Sequence, residues 1–147
     1  MKPDRFLLTL LGAIGLLAIT AILLFFIRQN SQTYGTENTP EGLLRNYVLA
    51  LNQEDYAKAY SYLQENETKP DFAQFREKLT TRKEPIKRAA IKIISVDISG
   101  EEAKIQVIIT QEGLDPFDGR FSSDQTISLL FQDEHWKLTK MPYPFGY

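Results

Sequence analysis

The 147-residue chain contains no cysteine. This absence excludes disulfides, thiolate metal sites, cysteine nucleophiles and a lipid-modified N-terminal cysteine. A single histidine, His135, excludes a histidine pair for a metal ion and the two-histidine helix of a metalloprotease. The eight glycines are scattered, and none opens a helix at the spacing of a phosphate-binding loop. We therefore expect neither a metal site nor a cofactor.

The chain also has no large excess of charge of either sign, since its formal net charge is only −2. The chain thus lacks the basic field expected of a nucleic-acid-binding protein. The charges are nevertheless unevenly spread: residues 69–92 hold eight Lys/Arg and three Asp/Glu, whereas residues 97–134 hold nine acidic and two basic side chains. The basic segment could contact an anionic lipid surface or an acidic partner, or it could simply be a solvated helix end and loop. Its candidate contact residues are Arg82, Lys83, Lys87 and Arg88.

One long apolar run stands near the N-terminus, where residues 6–27 form 22 positions without a charge. A helix of that length rises about 33 Å, enough to cross a hydrocarbon core of roughly 30 Å. The run is longer than the apolar region of a signal peptide, ends in bulky side chains and has no small-x-small cleavage site near its end. We therefore expect an uncleaved transmembrane anchor in contact with the lipid bilayer, with a cleaved signal peptide as the alternative.

The flanking charges predict the orientation of this anchor. Lys2 and Arg5 precede the run, and Arg28 alone follows it closely. The positive-inside rule then places residues 1–5 in the cytoplasm and the rest of the chain outside it, as a single-pass protein of the cell membrane. Residues 28–39 are polar and without apolar periodicity, which predicts a flexible linker.

Residues 40–147 are long enough for one small domain. Its first part predicts helices, since Thr39 can cap a helix that begins at Pro40 and carries apolar side chains at helical spacing for about 13 residues. Asp55 and Asp71 are the cap candidates of two further helices.

After residue 85 the apolar period changes from helical to alternating. Strands are predicted over residues 89–98, 103–111 and 121–132, and a final strand over residues 136–140. Because the strands follow the helices instead of alternating with them, the fold class is α+β, with helices on one face of an antiparallel sheet.

The amino-acid sequence of these elements resembles that of a known superfamily. "TPEGLLRNYVLALNQEDYAKAYSYL", then "FAQFREKL", and a closing "WKLTKMPYPF" are similar to the NTF2-like (cystatin-like) superfamily, and in particular to its small membrane-anchored bacterial members of unknown function. The resemblance implies helices packed in the concavity of a curved antiparallel sheet of about four strands. It implies little about activity, because the superfamily includes enzymes, ligand carriers, assembly factors and inert adaptors. The matching positions are Tyr47, Ala50, Leu51, Asn52, Asp55, Tyr56, Ala59, Tyr60, Leu63, Trp136 and Leu138.

Aromatic side chains are the candidates for lining a cavity between the helices and the curved sheet. Tyrosines on the first two helices could floor an apolar pocket. The alternative is that they fill the core and leave their hydroxyls at its rim, as tyrosines at helical spacing usually do. The candidate lining residues are Tyr47, Tyr56, Tyr60, Phe75 and Trp136.

The sequence offers no confident catalytic set. In "HWKLT", His135 alternates with Trp136 and Leu138, so we expect it to face solvent. Asp97 is on the same alternation as Ile91 and could point either way. We therefore predict no catalytic residue and no enzymatic activity.

The C-terminal "KMPYPFGY" is rigid and apolar, so it could fold back over the sheet or expose an aromatic patch to a partner. Its candidate contact residues are Tyr143, Phe145 and Tyr147.

The predicted function is that of a membrane-anchored, extracytoplasmic, non-catalytic binding domain. It would be an accessory or assembly subunit of a membrane complex, or a homodimer through the open sheet face. A carrier of small apolar ligands is the alternative, followed by an isomerase-like or hydrolase-like enzyme.

Overall fold

The computed structural model describes residues 5–29, 33–113 and 119–146. It divides into two units, Met1–Thr33 and Tyr34–Tyr147. The first unit contains helix α1 (Arg5–Gln29), in which the Thr20 hydroxyl donates to the Leu16 carbonyl at 2.8 Å. Over the side chains that the structure describes, which in α1 are residues 9–25, no helix has the length and hydropathy of a membrane span.

The second unit begins with four helices, three of which start at the predicted caps. The Thr39 hydroxyl accepts a hydrogen bond from the backbone N–H of Gly42 at 3.1 Å, and the Asp55 carboxylate accepts one from Lys58 at 3.1 Å. Asp71 accepts two, from Ala73 and Gln74. These bonds satisfy N–H groups that have no partner inside the helix. The helices are α2 (Pro40–Asn52), α3 (Tyr56–Ser61), α4 (Phe72–Thr81) and the five-residue α5 (Lys83–Lys87), which the sequence pattern did not predict.

The four predicted strands form one antiparallel sheet in chain order. They are β1 (Ala89–Ser99), β2 (Glu102–Glu112), β3 (Arg120–Gln132) and β4 (His135–Leu138). Asp133 and Glu134 both have positive φ, at 51° and 65°, which is the geometry of a two-residue hairpin turn. The prediction of an α+β domain with a four-stranded antiparallel sheet is therefore confirmed.

A bulge in β1 changes which residues face the helices. The register shifts after Ile93, so that Val96 pairs with Ile105 and Asp97 pairs with Lys104. Because the extra residue reverses the alternation, Val96 joins the core face and Asp97 lies on the outer face. Strict alternation from the preceding isoleucines could not settle this orientation.

The core lies between α2 and the inner face of the sheet. β4 is held on its far edge by the α3–α4 connection, because Leu138 accepts from the backbone of Gln64 and donates to that of Tyr62, both at 2.9 Å. The inner face of the sheet contributes Ala103, Ile105, Val107, Ile109, Ile127, Leu129, Trp136 and Leu138; the helices contribute Leu43, Leu44, Tyr47, Val48, Leu51, Phe75, Leu79 and Ile86.

Residues 34–39, hereafter the strap, are hydrogen-bonded to the helices. The Asn46 side chain is 2% exposed and binds both backbone groups of Gly35, accepting from its N–H at 2.8 Å and donating to its carbonyl at 3.0 Å. The Tyr34 hydroxyl donates to Asp55 at 3.1 Å. The last six residues of the predicted linker thus belong to the second unit, while residues 30–32 of that linker lie outside the described part of the chain.

Candidate functional site

The interior between helices and sheet is occupied by aromatic side chains. Tyr47, Phe75 and Phe145 are each 0% exposed. The Tyr47 hydroxyl donates to the backbone carbonyl of Phe145 at 2.6 Å. Trp136 is 7% exposed and meets the edge of the Phe131 ring, with 5.2 Å between centroids. The candidate cavity residues Tyr47, Phe75 and Trp136 therefore pack as core, together with Phe145.

The remaining two candidates lie at the border of the core. Tyr60 contacts the rings of Phe72 and Phe75 edge-on, with centroids at 5.4 and 5.3 Å. Its hydroxyl donates to the carbonyl of Pro70 at 2.8 Å. Tyr56 is partly buried against the same core. The aromatic rings fill space and the hydroxyls reach backbone groups, which is how buried tyrosines usually satisfy their polar end.

The C-terminal segment folds back across the domain. The Arg82 guanidinium donates to the Gly146 carbonyl at 3.1 Å, and the Gln125 amide donates to the Tyr143 carbonyl at 3.0 Å. Of the three predicted contact aromatics, Tyr143 is 59% exposed, Phe145 lies in the core, and Tyr147 lies outside the described residues. The surface contribution of this segment is thus Tyr143.

Two of the four predicted basic contact residues, Lys87 and Arg88, lie beside a third basic residue, Arg120, which the sequence analysis did not select. A groove of about 480 Å³ is lined by Lys87, Arg88 and Arg120, among others. The backbone N–H of Glu112 donates to the Arg88 carbonyl at 3.2 Å, and Glu112 pairs with Arg120 across β2 and β3. Strand pairing therefore brings Arg120 beside a segment that is distant in sequence. We name the side chains of Arg82, Lys83, Lys87, Arg88 and Arg120 the basic end.

Carboxylates offset part of this charge. Glu54 binds both Lys83, at 2.5 Å, and Lys87, at 3.1 Å. The Lys83 hydrogen bond holds the pKa of Glu54 below its usual value, and Glu54 in turn raises the pKa of Lys83. The other pairs are Arg88–Glu84 at 3.7 Å and Arg120–Glu112 at 3.0 Å. Among the side chains that the structure describes, five basic groups thus stand against three carboxylates, which is a positive excess; Asp115 and Asp118, between Glu112 and Arg120 in the sequence, lie outside the described residues and are not counted.

A second cluster of titratable groups joins the strap to α3. Glu37 accepts from the Tyr62 hydroxyl at 2.7 Å and from the Lys58 ammonium at 2.9 Å. The Lys58 contact, followed by that of Tyr62, lowers the pKa of Glu37. Burial, followed by the Asp55 hydrogen bond, raises the pKa of Tyr34 to about 12. The shifts favour an ionised Glu37 and a protonated Tyr34, which suits a structural role better than proton transfer.

The Glu37 contacts predict a pH-dependent increment of stability. Because the folded state lowers the pKa of Glu37 below its ordinary 4.5, the increment is present above that pH and is lost as the pH falls through the lower folded value. Since the side chain is 43% exposed, we expect at most about 1 kcal/mol. Chemical unfolding of wild type and Glu37→Gln between pH 7 and pH 3 measures it.

Above pH 5 the Glu37→Gln variant should be less stable than wild type, and the two curves should converge at acidic pH. Lys58→Met should lose the larger share of this increment, because Lys58 contributes most to the lowered pKa of Glu37 and Tyr62 contributes less. A difference that persists unchanged at pH 3 would show that packing, and not this ion pair, accounts for the effect of the substitution.

His135 is exposed, as the alternation predicts. Among the described residues, no three His, Cys, Asp or Glu side chains are grouped so as to hold a metal ion.

Comparisons with known proteins bear on the fold. No protein-family model and no curated protein matches the chain. A SEC-C-motif-containing protein from Rhodopseudomonas palustris has a TM-score of 0.52 at 11% identity, covering 72% of this chain and 79% of its own. A protein from Campylobacter jejuni, named as a candidate NTF2-like transpeptidase, has a TM-score of 0.47 at 25% identity, covering 69% of this chain and 98% of its own.

The first of these likenesses shows a shared fold and nothing about activity. The α+β architecture with its four-stranded antiparallel sheet is consistent with the NTF2-like fold that the sequence resemblance implies. The surface, in particular the basic end, is therefore the candidate functional site.

Proposed function

We propose that the chain is a membrane-anchored, non-catalytic binding domain of NTF2-like fold, which docks an acidic protein partner through the basic end. It acts as an accessory or assembly subunit of a membrane complex. The single observation that carries the proposal is the filled interior, where Tyr47, Phe75 and Phe145 are fully buried. Because the chain's own side chains fill the space between the helices and the sheet, binding of an apolar ligand there is disfavoured. This favours a function carried out by surface residues.

The anchor rests on the N-terminal helix. Residues 6–27 carry no charge. Helix α1 is 25 residues long, from Arg5 to Gln29, and includes this whole run. Its apolar side chains are exposed, with Leu16 at 68% and Leu17 at 70%. Exposed apolar side chains on all sides of a helix call for an apolar environment, which a bilayer supplies. The excess of basic residues before the helix supports an orientation with the N-terminus in the cytoplasm and the domain outside it.

The partner's acidity follows from the charge of the basic end. The Lys87 and Arg120 side chains are 47% and 74% exposed, so both are accessible. Tyr143 stands on the same folded C-terminal segment that Arg82 binds, and it offers an exposed ring of the kind enriched at interfaces. Charge complementarity of this kind steers association and fixes orientation.

Co-purification tests the proposal. The tagged full chain, extracted from its native membrane in mild detergent, should retain an acidic protein in stoichiometric amount. The Lys87→Gln/Arg120→Gln variant should retain roughly fivefold less, because two accessible charges that face the partner are removed. Glu54 keeps Lys83 as its partner in this variant, and Glu112 is 58% exposed, so the fold is expected to tolerate both changes.

Lys104→Gln is the matched control, since Lys104 is exposed on the outer face of the sheet. Capture should be unchanged in this variant and should fall for wild type as salt rises from about 0.1 M to about 0.5 M. A chain that purifies as a partner-free monomer, or a partner that is insensitive to the double substitution, contradicts the proposal.

A further inference from the structure

A cleft of about 210 Å³ opens between the loop that follows α3 and the end of β4. None of its residues belongs to the basic end, so it is a separate feature of the surface. Pro70 and Met141, both partly exposed, form its apolar wall, whereas Leu63 and Leu138, at 4% and 1% exposed, have almost no accessible surface. The polar side chains around it are Gln64, Asn66, Thr68, Lys69, Thr139 and Lys140.

Lys69 brings a buried positive charge to this cleft. Its side chain is only 5% exposed. Burying an ammonium group is costly unless a counter-charge and hydrogen bonds compensate it. The compensation consists of an ion pair with Glu65, the Leu63 carbonyl at 3.5 Å and the face of the Tyr60 ring, whose centroid is 4.0 Å from the ammonium. The carbonyl distance is at the outer limit of a hydrogen bond, so a carboxylate is the principal acceptor.

Glu65 supplies that carboxylate from the solvent side. Its side chain is 77% exposed, in contrast to the buried Lys69. An exposed glutamate gains little from an ion pair and loses side-chain entropy on being held in place. The buried ammonium is already fixed by its surroundings, and such pre-organisation favours any carboxylate that reaches it. Glu65 thus occupies a position that an external carboxylate could take.

We propose that this cleft binds a carboxylate carried on a short apolar group. The carboxylate displaces Glu65 from Lys69, and the apolar group packs on Pro70 and Met141. Lys140, which has no ion pair among the residues that the structure describes, adds attraction at the rim. The cleft is smaller than the roughly 300–1,000 Å³ typical of drug-sized ligands, so it suits a small organic acid or the C-terminal residue of a peptide.

Ligand-observed NMR with the full chain in lipid nanodiscs tests the site, with empty nanodiscs as the blank. Hexanoate represents a small organic acid, and N-acetyl-leucine represents a peptide C-terminus. N-acetyl-leucinamide is the matched control, because it keeps the apolar group and lacks the charge. We expect at least one of the two acids to bind at least tenfold more tightly than the amide. The acid that binds more tightly shows whether the ligand is a small organic acid or a peptide C-terminus.

Two substitutions separate this site from a purely structural ion pair. Lys69→Met should weaken binding of the acid at least tenfold, because the charge-assisted hydrogen bond is lost. Glu65→Gln should tighten binding about threefold to tenfold, since the competing carboxylate is removed while Lys69 stays. This second variant keeps the proposal testable even if Lys69→Met fails to fold. Lys104→Gln should change nothing.

Equal binding of acid and amide overturns the proposal. So does a Glu65→Gln variant that binds the acids no more tightly than wild type, because Glu65 would then not be their competitor. Neither result depends on a protein partner, so the outcome is independent of the function proposed for the basic end.

Discussion

Replacing Phe145 with alanine is expected to lower the free energy of unfolding of the domain by about 3–5 kcal/mol. Phe145 is the third residue from the C-terminus, yet its side chain is 0% exposed. The substitution leaves a ring-sized cavity in the core near Tyr47, which the close-packed surroundings cannot fill completely. It also weakens the support of the Phe145 carbonyl, which accepts the Tyr47 hydroxyl bond at 2.6 Å.

Chemical unfolding of the full chain measures this loss. The single tryptophan, Trp136, is 7% exposed in the same core, so its fluorescence reports on unfolding of the domain. Tyr143→Ala is the matched control on the same segment: its side chain is 59% exposed, and we expect a change of roughly 0.5 kcal/mol or less. A Phe145→Ala variant as stable as Tyr143→Ala would mean that the C-terminal segment does not complete the core.

The same residue shows what local sequence patterns can and cannot predict. The apolar, proline-rich C-terminus left two possibilities open, folding back or exposure, and the structure divides them between neighbours: Phe145 is buried and Tyr143 is exposed. By contrast, the caps at Thr39, Asp55 and Asp71 were predictable, because a capping bond depends on residues two or three positions apart.

Features that depend on pairing between distant segments were not predictable. The bulge after Ile93 is defined by the register of β1 against β2, and nothing in the alternation of β1 alone marks it. Arg120 joins Lys87 and Arg88 only through strand pairing. The cleft around Lys69 likewise needs the α3–α4 connection to lie along β4. Candidate sites built from such contacts could not be assembled from spacing in the sequence.

The strap gives the domain a defined point of entry for the chain that arrives from α1. Asn46 holds the backbone of Gly35, and Glu37 and Tyr34 are bound to α3 and its cap. These bonds fix the strap against helices α2 and α3 within the second unit. The attachment is therefore a further place where a single substitution should have a large effect.

Replacing Gly42 with alanine is expected to destabilise the domain by about 1–3 kcal/mol, the cost of forcing extra volume into a packed contact. In an ordinary helix the same change stabilises by roughly 0.5–1 kcal/mol, because glycine loses more backbone entropy on folding. Here a Cβ on Gly42 would lie 2.1 Å from the backbone carbonyl oxygen of Thr36 in the strap. Since that oxygen belongs to the backbone, only a displacement of the strap can relieve the overlap. The substitution is therefore expected to lower the stability of the domain instead of raising it.

Unfolding measurements and cleavage by chymotrypsin after Tyr34 both report on this change. Gly42→Ala should be less stable and should be cleaved faster, whereas Arg45→Ala, at an exposed position of the same helix, should match wild type in both. The Asn46→Ala variant supplies the informative background, because it removes both hydrogen bonds to Gly35, next to Thr36, and so loosens this part of the strap. There the Gly42→Ala penalty should shrink or change sign, since substitutions that act on one contact are not additive. An equal penalty in both backgrounds would place its cause in helix α2 itself and not in the strap.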